Sequence, residues 1–262
     1  MTEIKVLRSV YEDNDRIADG VRKTLKKSGV GCVNVISSPG AGKTTLLEKT
    51  LAALKKEIEF GVIEGDISTS IDRDRISPHC KSVFQINTDN FGGDCHLSAF
   101  MIRDALKKFD LEKLGLLIIE NVGNLICPAD FDIGESGKIL LFSVTEGEDK
   151  PLKYPVSFGV ADAIVVTKTD LVPHLDVDMK KIAANLKKIN PRAKLFYVSA
   201  RTGEGLEKWL EYVRKLSGKI SYSSKRTVKT TLKTVSGKSE AGAKPSKSLN
   251  KNVKKVNSKT RK

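Results

Sequence analysis

Nine residues constrain this chain more than any others: Ser37-Ser38-Pro39-Gly40-Ala41-Gly42-Lys43-Thr44-Thr45. They follow the apolar run GCVNVIS and open the amphipathic stretch TTLLEKTLAALKK, the strand–loop–helix setting that a phosphate-binding loop requires. Glycines at such a turn let backbone N–H groups close around phosphate oxygens, and the start of the helix adds the positive end of its dipole. The lysine then reaches the outer phosphates and the following threonine ligates Mg²⁺. Pro39, Gly40, Ala41, Gly42, Lys43, Thr44 and Thr45 are therefore expected to hold a nucleotide, with Lys43 catalytic and Thr44 on the cation. The first position carries Ser37 where glycine is usual.

The rest of the chain supplies a matching scaffold. Short apolar runs (FGVIEGD, KSVFQIN, LGLLIIEN, KILLFSVTE, ADAIVVTK, AKLFYVSA) alternate with amphipathic stretches. Strands that read as continuous apolar runs are buried on both faces, so the expected class is α/β: a P-loop NTPase with a mostly parallel, doubly wound sheet and helices on both faces. This domain is placed at residues 30–217, after an N-terminal helical segment (1–29, with a helix around 12–28). In open α/β sheets ligands bind at the carboxyl ends of strands. Asp66 and Glu120 end two of the apolar runs and are candidates for holding Mg²⁺ and a hydrolytic water. Asp72 joins them as a Mg²⁺ candidate, and with Asp74 it lies in a segment with the character of a switch.

Charge and cysteine content narrow the function classes. The net charge of +14 is uneven, because residues 219–262 hold 14 Lys+Arg and one acid, leaving the preceding residues nearly neutral. That Lys-, Ser- and Thr-rich tail (218–262) has no apolar periodicity and is expected to be disordered. A nucleic-acid partner acting through the tail is a rival reading, not the favoured one. No apolar run reaches membrane-spanning length and the first thirty residues lack a signal peptide's apolar stretch, so the expected location is cytoplasmic, without a membrane partner. Four cysteines are too few for a disulfide scaffold, so any special cysteine is a metal ligand or a nucleophile.

Two later strings address the base. Thr167-Lys168-Thr169-Asp170 and Ser199-Ala200-Arg201 each follow a strand and resemble the guanine-specificity elements of GTPases, with Thr167 where asparagine is commoner. The resemblance implies that Asp170 accepts from guanine N1 and the 2-amino group, that the Lys168 stem covers the ring, and that Ala200 N–H meets O6 next to Ser199. GTP is then the expected nucleotide.

Between these elements lie Cys95-His96 and, 31 residues after His96, Cys127. Spacing alone leaves two readings: a partial metal-ligand set, or thiols buried as small hydrophobes. The strings SSPGAGKTTLL, EGD, CHL, IENVGNLICPADFD, EGEDKPLKYP and TKTD, in this order, closely resemble the HypB family of nickel-insertion GTPases. The resemblance spans roughly residues 30–215 and implies a SIMIBI-type GTPase that dimerises in a GTP-dependent way. It implies a nickel or zinc site at Cys95, His96 and Cys127, Mg²⁺ or water roles for Asp66 and Glu120, and delivery of nickel during NiFe hydrogenase maturation. Implied partners are a HypA-type accessory protein and a hydrogenase large-subunit precursor; a related GTPase serving urease is the alternative. Three features depart from the family: a longer approach from Asn87-Thr88-Asp89 to Cys95, the absence of an N-terminal cysteine motif or His-rich tract, and the basic tail.

Overall fold

The computed structural model describes residues 3–67, 71–91 and 94–217; the expectations for the basic tail lie outside them. Seven strands form one sheet: β1 (Gly31–Ser37), β2 (Phe60–Asp66), β3 (Ser82–Asn87), β4 (Leu116–Glu120), β5 (Gly137–Ser143), β6 (Ala163–Thr167) and β7 (Lys194–Val198). Their spatial order is β3-β2-β4-β1-β5-β6-β7, and every pairing is parallel. Parallel neighbours need crossovers, which the helices supply. These are α1 (Glu3–Lys27), α2 (Lys43–Leu54), α3 (Ile71–Ile76), α4 (Ala99–Leu106), α5 (Cys127–Asp130), α6 (Lys150–Lys153), α7 (Pro155–Val160), α8 (Met179–Ile189) and α9 (Leu206–Leu216).

Alternation along β1 shows how two covered faces arise. Val33 and Val35 pack with Leu46, Leu47 and Leu51 of α2 and with Trp209 and Val213 of α9. On the opposite face Cys32 meets Val21 and Leu25 of α1 and Met101 and Ile102 of α4. Ile36 on that side joins a cluster with Phe142, Phe158, Ile182 and Leu186. Each such side chain contributes about 1.5–3 kcal/mol by leaving water. The helix expected around residues 12–28 runs from Glu3 to Lys27 and is built into the domain through Val21 and Leu25. Two of the four cysteines are accounted for by this core. Cys32 is fully buried, which pushes its thiol well above the ordinary range, and Cys80 donates to the Phe60 carbonyl at 3.2 Å, with burial holding it up at about 11. Among the described residues no helix is long and apolar enough to cross a membrane.

Candidate nucleotide and metal site

Strand β1, at the centre of the sheet, delivers the phosphate loop. Gly40 and Gly42 adopt φ of 73° and 94°, a region that a β-carbon disfavours, and Gly42 is the residue from which α2 starts. The loop is pinned from three sides. Lys43 Nζ donates to Ser37 Oγ at 3.1 Å, so the serine in place of glycine acts as a hydrogen-bond partner for the lysine. Thr167 Oγ1 donates to the Ala41 carbonyl at 2.6 Å, and Lys168 Nζ donates to the Gly40 carbonyl at 2.7 Å. Thr44 Oγ1 donates to Glu120 Oε1 at 2.9 Å, joining two of the expected Mg²⁺ residues.

Glu64, which the sequence reading passed over, lies directly opposite Glu120 across the β2–β4 pairing. Both are buried, and neither Glu64 Oε1 nor Glu120 Oε2 has a hydrogen-bond donor among the described residues. Burial first, then the facing Glu120, raises Glu64 to about 10. Burial also raises Glu120, against the pull of Lys43 and the Thr44 hydrogen bond. Two carboxylates this close share a proton rather than both ionise. Asp72 lies near enough for its charge to raise both. Asp66 stands half-buried at the end of β2 with Oδ1 accepting from the Ile67 amide at 2.7 Å. Asp74, further along α3, pairs with Arg73 at 3.0 Å on the surface.

Beside the loop a cleft of about 350 Å³ is lined by Gly42, Thr45, Leu46, Lys168, Asp170 and Ala200, among others. It brings the expected base-contact residues together. Lys168 adopts the left-handed conformation (φ 59°), the one non-glycine to do so among the described residues, which aims its stem back over the phosphate loop. Asp170 Oδ1 accepts from Ser199 Oγ at 2.7 Å, and the fully buried Ser199 is itself held by the Thr202 amide at 3.1 Å. Exposed Arg201 approaches Asp170 only to 3.9 Å.

The remaining two cysteines meet at the same edge of the sheet. Cys95 and His96 lie in a bend before α4, and Cys127 opens α5 beyond β4. Cys95 Sγ and Cys127 Sγ are 2.7 Å apart, and one donor atom from each of Cys95, His96 and Cys127 falls within 4.8 Å of the others, the span of one ion's coordination shell. Burial holds His96 below its ordinary range, against the opposing pull of Asp94. The hydrogen bond from Cys95, followed by burial, raises the Cys127 thiol. Asn121, next to Glu120, accepts from the Leu97 amide at 3.0 Å and thereby holds the segment that carries His96.

A phosphate loop on the central strand of a parallel sheet, with a base cleft beside it, defines a P-loop nucleotide-binding protein. The profile of the CobW/HypB/UreG nucleotide-binding domain matches residues 32–197. The hydrogenase maturation factor HypB of Rhizobium leguminosarum bv. viciae is 47% identical over 211 residues, covering 79% of this chain and 70% of that protein. The crystal structure of HypB from Archaeoglobus fulgidus superposes with a TM-score of 0.73 at 41% identity, covering 78% of this chain and 98% of that one. That of HypB from Helicobacter pylori in complex with nickel gives 0.72 at 40% identity, covering 78% and 95%. The chain belongs to the HypB family.

Proposed function

We propose that this protein is a GTP-hydrolysing metallochaperone that delivers nickel during NiFe hydrogenase maturation, acting as a homodimer in its GTP state. Its partners are then a HypA-type accessory protein and the hydrogenase large-subunit precursor. The observation that carries the reading is the sharing of strand β4: Glu120 at its end accepts from Thr44 of the phosphate loop, and the segment that follows brings Cys127 to Cys95 and His96. Membership of the HypB family, and the nickel complex of the Helicobacter pylori relative, support nickel as the cargo.

In this reading the GTP phosphates lie against the amides of residues 39–45 and the amino end of α2, and Lys43 turns from Ser37 Oγ to the outer phosphate. Thr44 and Glu120, with Asp66 and Asp72 at the same edge, would hold Mg²⁺; the buried carboxylate oxygens of Glu64 and Glu120 without a donor suit a cation. When bound, Mg²⁺ neutralises charge on the phosphate oxygens. Glu120 orients the attacking water. Asp170, steadied by Ser199, accepts two guanine N–H groups, while Ala200 N–H donates to O6. Adenine has an amino group where guanine has O6 and would leave these groups unpaired, so it is rejected.

Thiolates and imidazole take either nickel or zinc, and three protein ligands leave one position for water or a group from a second copy. That incomplete shell links metal occupancy to dimerisation, and any effect of GTP on metal affinity returns as an equal effect of metal on GTP. Calorimetry with nickel and zinc in the GDP and GTP-analogue states tests the reading. The Cys95→Ala, Cys127→Ala double variant should lose the site while basal hydrolysis continues. Identical metal binding in both nucleotide states and in the double variant would overturn it.

A further inference from the structure

Helix α1 takes no part in the roles above, yet it touches both segments that carry the metal ligands. Asn14, 8% exposed, donates through Nδ2 to the Asp132 carbonyl at 2.8 Å and accepts through Oδ1 from the Ala99 amide at 3.1 Å. Ala99 opens α4, three residues after His96, and Asp132 comes five residues after Cys127. One buried amide side chain therefore bridges the two segments that carry the candidate ligands, which Asn121 and Asn124 also tie together through the Leu97 amide and the Cys95 carbonyl.

A turn earlier on α1, Tyr11 stacks on Phe131 (ring centroids 5.1 Å apart, planes at 24°). Phe131 in turn stacks on the His96 imidazole (4.0 Å, 30°). Two turns further along, Arg22 Nη2 reaches both carboxylate oxygens of Asp132 at 2.6 Å. The helix is seated without slack on this loop. A β-carbon at Gly134 would lie 2.5 Å from Val21 Cγ1 and 2.7 Å from the Ala18 carbonyl oxygen, so only glycine admits the close approach.

We propose that Asn14 and Tyr11 are positioning residues of the metal site: Asn14 fixes the distance between the Cys95-His96 segment and Cys127, and Tyr11, through Phe131, fixes the plane of the His96 ring. Together they set how tightly the site holds a divalent ion that prefers sulfur and nitrogen ligands. The inference rests on the reading of Cys95, His96 and Cys127 as that ion's ligands. Hydrogen-bonded groups behind metal ligands typically change affinity by about 10–100-fold when removed, because a ligand free to turn must be ordered by the ion.

The test uses the full chain, with Ni²⁺ and Zn²⁺ affinities from chelator competition and Co²⁺ as a spectroscopic probe whose thiolate charge-transfer and ligand-field bands report coordination geometry. Asn14→Ala and Tyr11→Leu should each weaken Ni²⁺ or Zn²⁺ binding by about tenfold or more and shift the Co²⁺ bands. Tyr11→Phe, which keeps the ring, should bind and absorb as the parent does. Cys95→Ser, which leaves Cys127 to offer a thiolate, should weaken binding and shrink the charge-transfer band. If Cys95→Ser weakens the site while Asn14→Ala and Tyr11→Leu keep parental affinities and Co²⁺ spectra, α1 is structural only and the proposal fails, even if both variants melt earlier. If Cys95→Ser binds metal as the parent does, the ligand reading falls and the proposal with it. Should Asn14→Ala not fold, the exposed Tyr11 pair of variants still decides.

Discussion

Glu64 and Glu120 face each other on adjacent strands, buried, with Lys43 near enough to draw down the pKa of both. Two carboxylates so placed repel unless a proton or a cation lies between them. Glu64→Gln replaces the shared proton with an amide that can donate to Glu120. We expect the nucleotide-free protein to melt no earlier than the parent, whereas Mg²⁺ affinity in the GTP complex should fall about tenfold or more, because an amide cannot give up a proton and leave the negative charge that a cation attracts. Thermal scans with and without Mg²⁺ check both. A variant that melts earlier without Mg²⁺ and binds Mg²⁺ unchanged would show that the pair has no cation role.

In the proposed reading Asp170 governs the base. GTP and GDP should bind far more tightly than ATP and ADP, and Asp170→Asn should shift preference toward xanthine nucleotides, whose 2-carbonyl meets the new amide donor. Ser199→Ala, which removes the 2.7 Å hydrogen bond to Asp170, should cost GTP affinity about 1.5–3 kcal/mol, the range for a hydrogen bond to a charged group. Competition titrations measure all of these; equal affinity for ATP and GTP contradicts the assignment.

Lys43→Ala should abolish detectable GTP turnover while circular dichroism stays parental, because catalysis of phosphoryl transfer is mostly positioning and charge stabilisation. Parental turnover in that variant would remove the phosphate loop from the mechanism.

A stability prediction concerns the sheet face that α2 and α9 cover. Trp209 Nε1 donates to Thr50 Oγ1 at 2.8 Å, and Thr50 Oγ1 donates to the Leu46 carbonyl at 2.7 Å, all in the core between α2 and α9. Thr50→Val conserves shape but leaves the buried indole N–H unpaired, at a cost of about 1–3 kcal/mol. Urea unfolding should show that loss without a change in slope.

Removal of residues 219–262 should leave nucleotide and metal binding at parental values, since α9 already closes the core with Trp209, Leu210 and Val213. Retention of DNA or RNA by the full chain that weakens steeply with salt and disappears on truncation would instead give the tail a nucleic-acid role.

The central strands could be read from sequence because they are short, nearly unbroken apolar runs, the pattern forced on strands such as β1, β4 and β6 that are buried at every position. Glu64 was missed although it interrupts such a run. Its partner is Glu120, and β2 pairs with β4, an adjacency that chain order does not reveal. Asp66, at the end of the same run, stood where a ligand-binding carboxylate is expected and drew the attention. The periodicity after residue 12 disclosed a helix but not its seat, because Asn14 and Tyr11 contact a loop more than 100 residues away. Cys95, His96 and Cys127 could be named as candidates from residue type, yet their meeting depends on a crossover that spacing does not encode.

The pairing of β1 has a consequence for how the molecule is made. Both neighbours of the strand that delivers the phosphate loop come later in the chain: β4 ends at Glu120 and β5 at Ser143. During synthesis at roughly 5–20 residues per second, β1 waits several seconds or more before either flank exists. Through that interval its backbone groups lack their sheet partners and Val33, Val35 and Ile36 lack their cover. A fragment that ends before residue 116 would carry β1 without β4 or β5, and its open, apolar strand edge would be prone to aggregate.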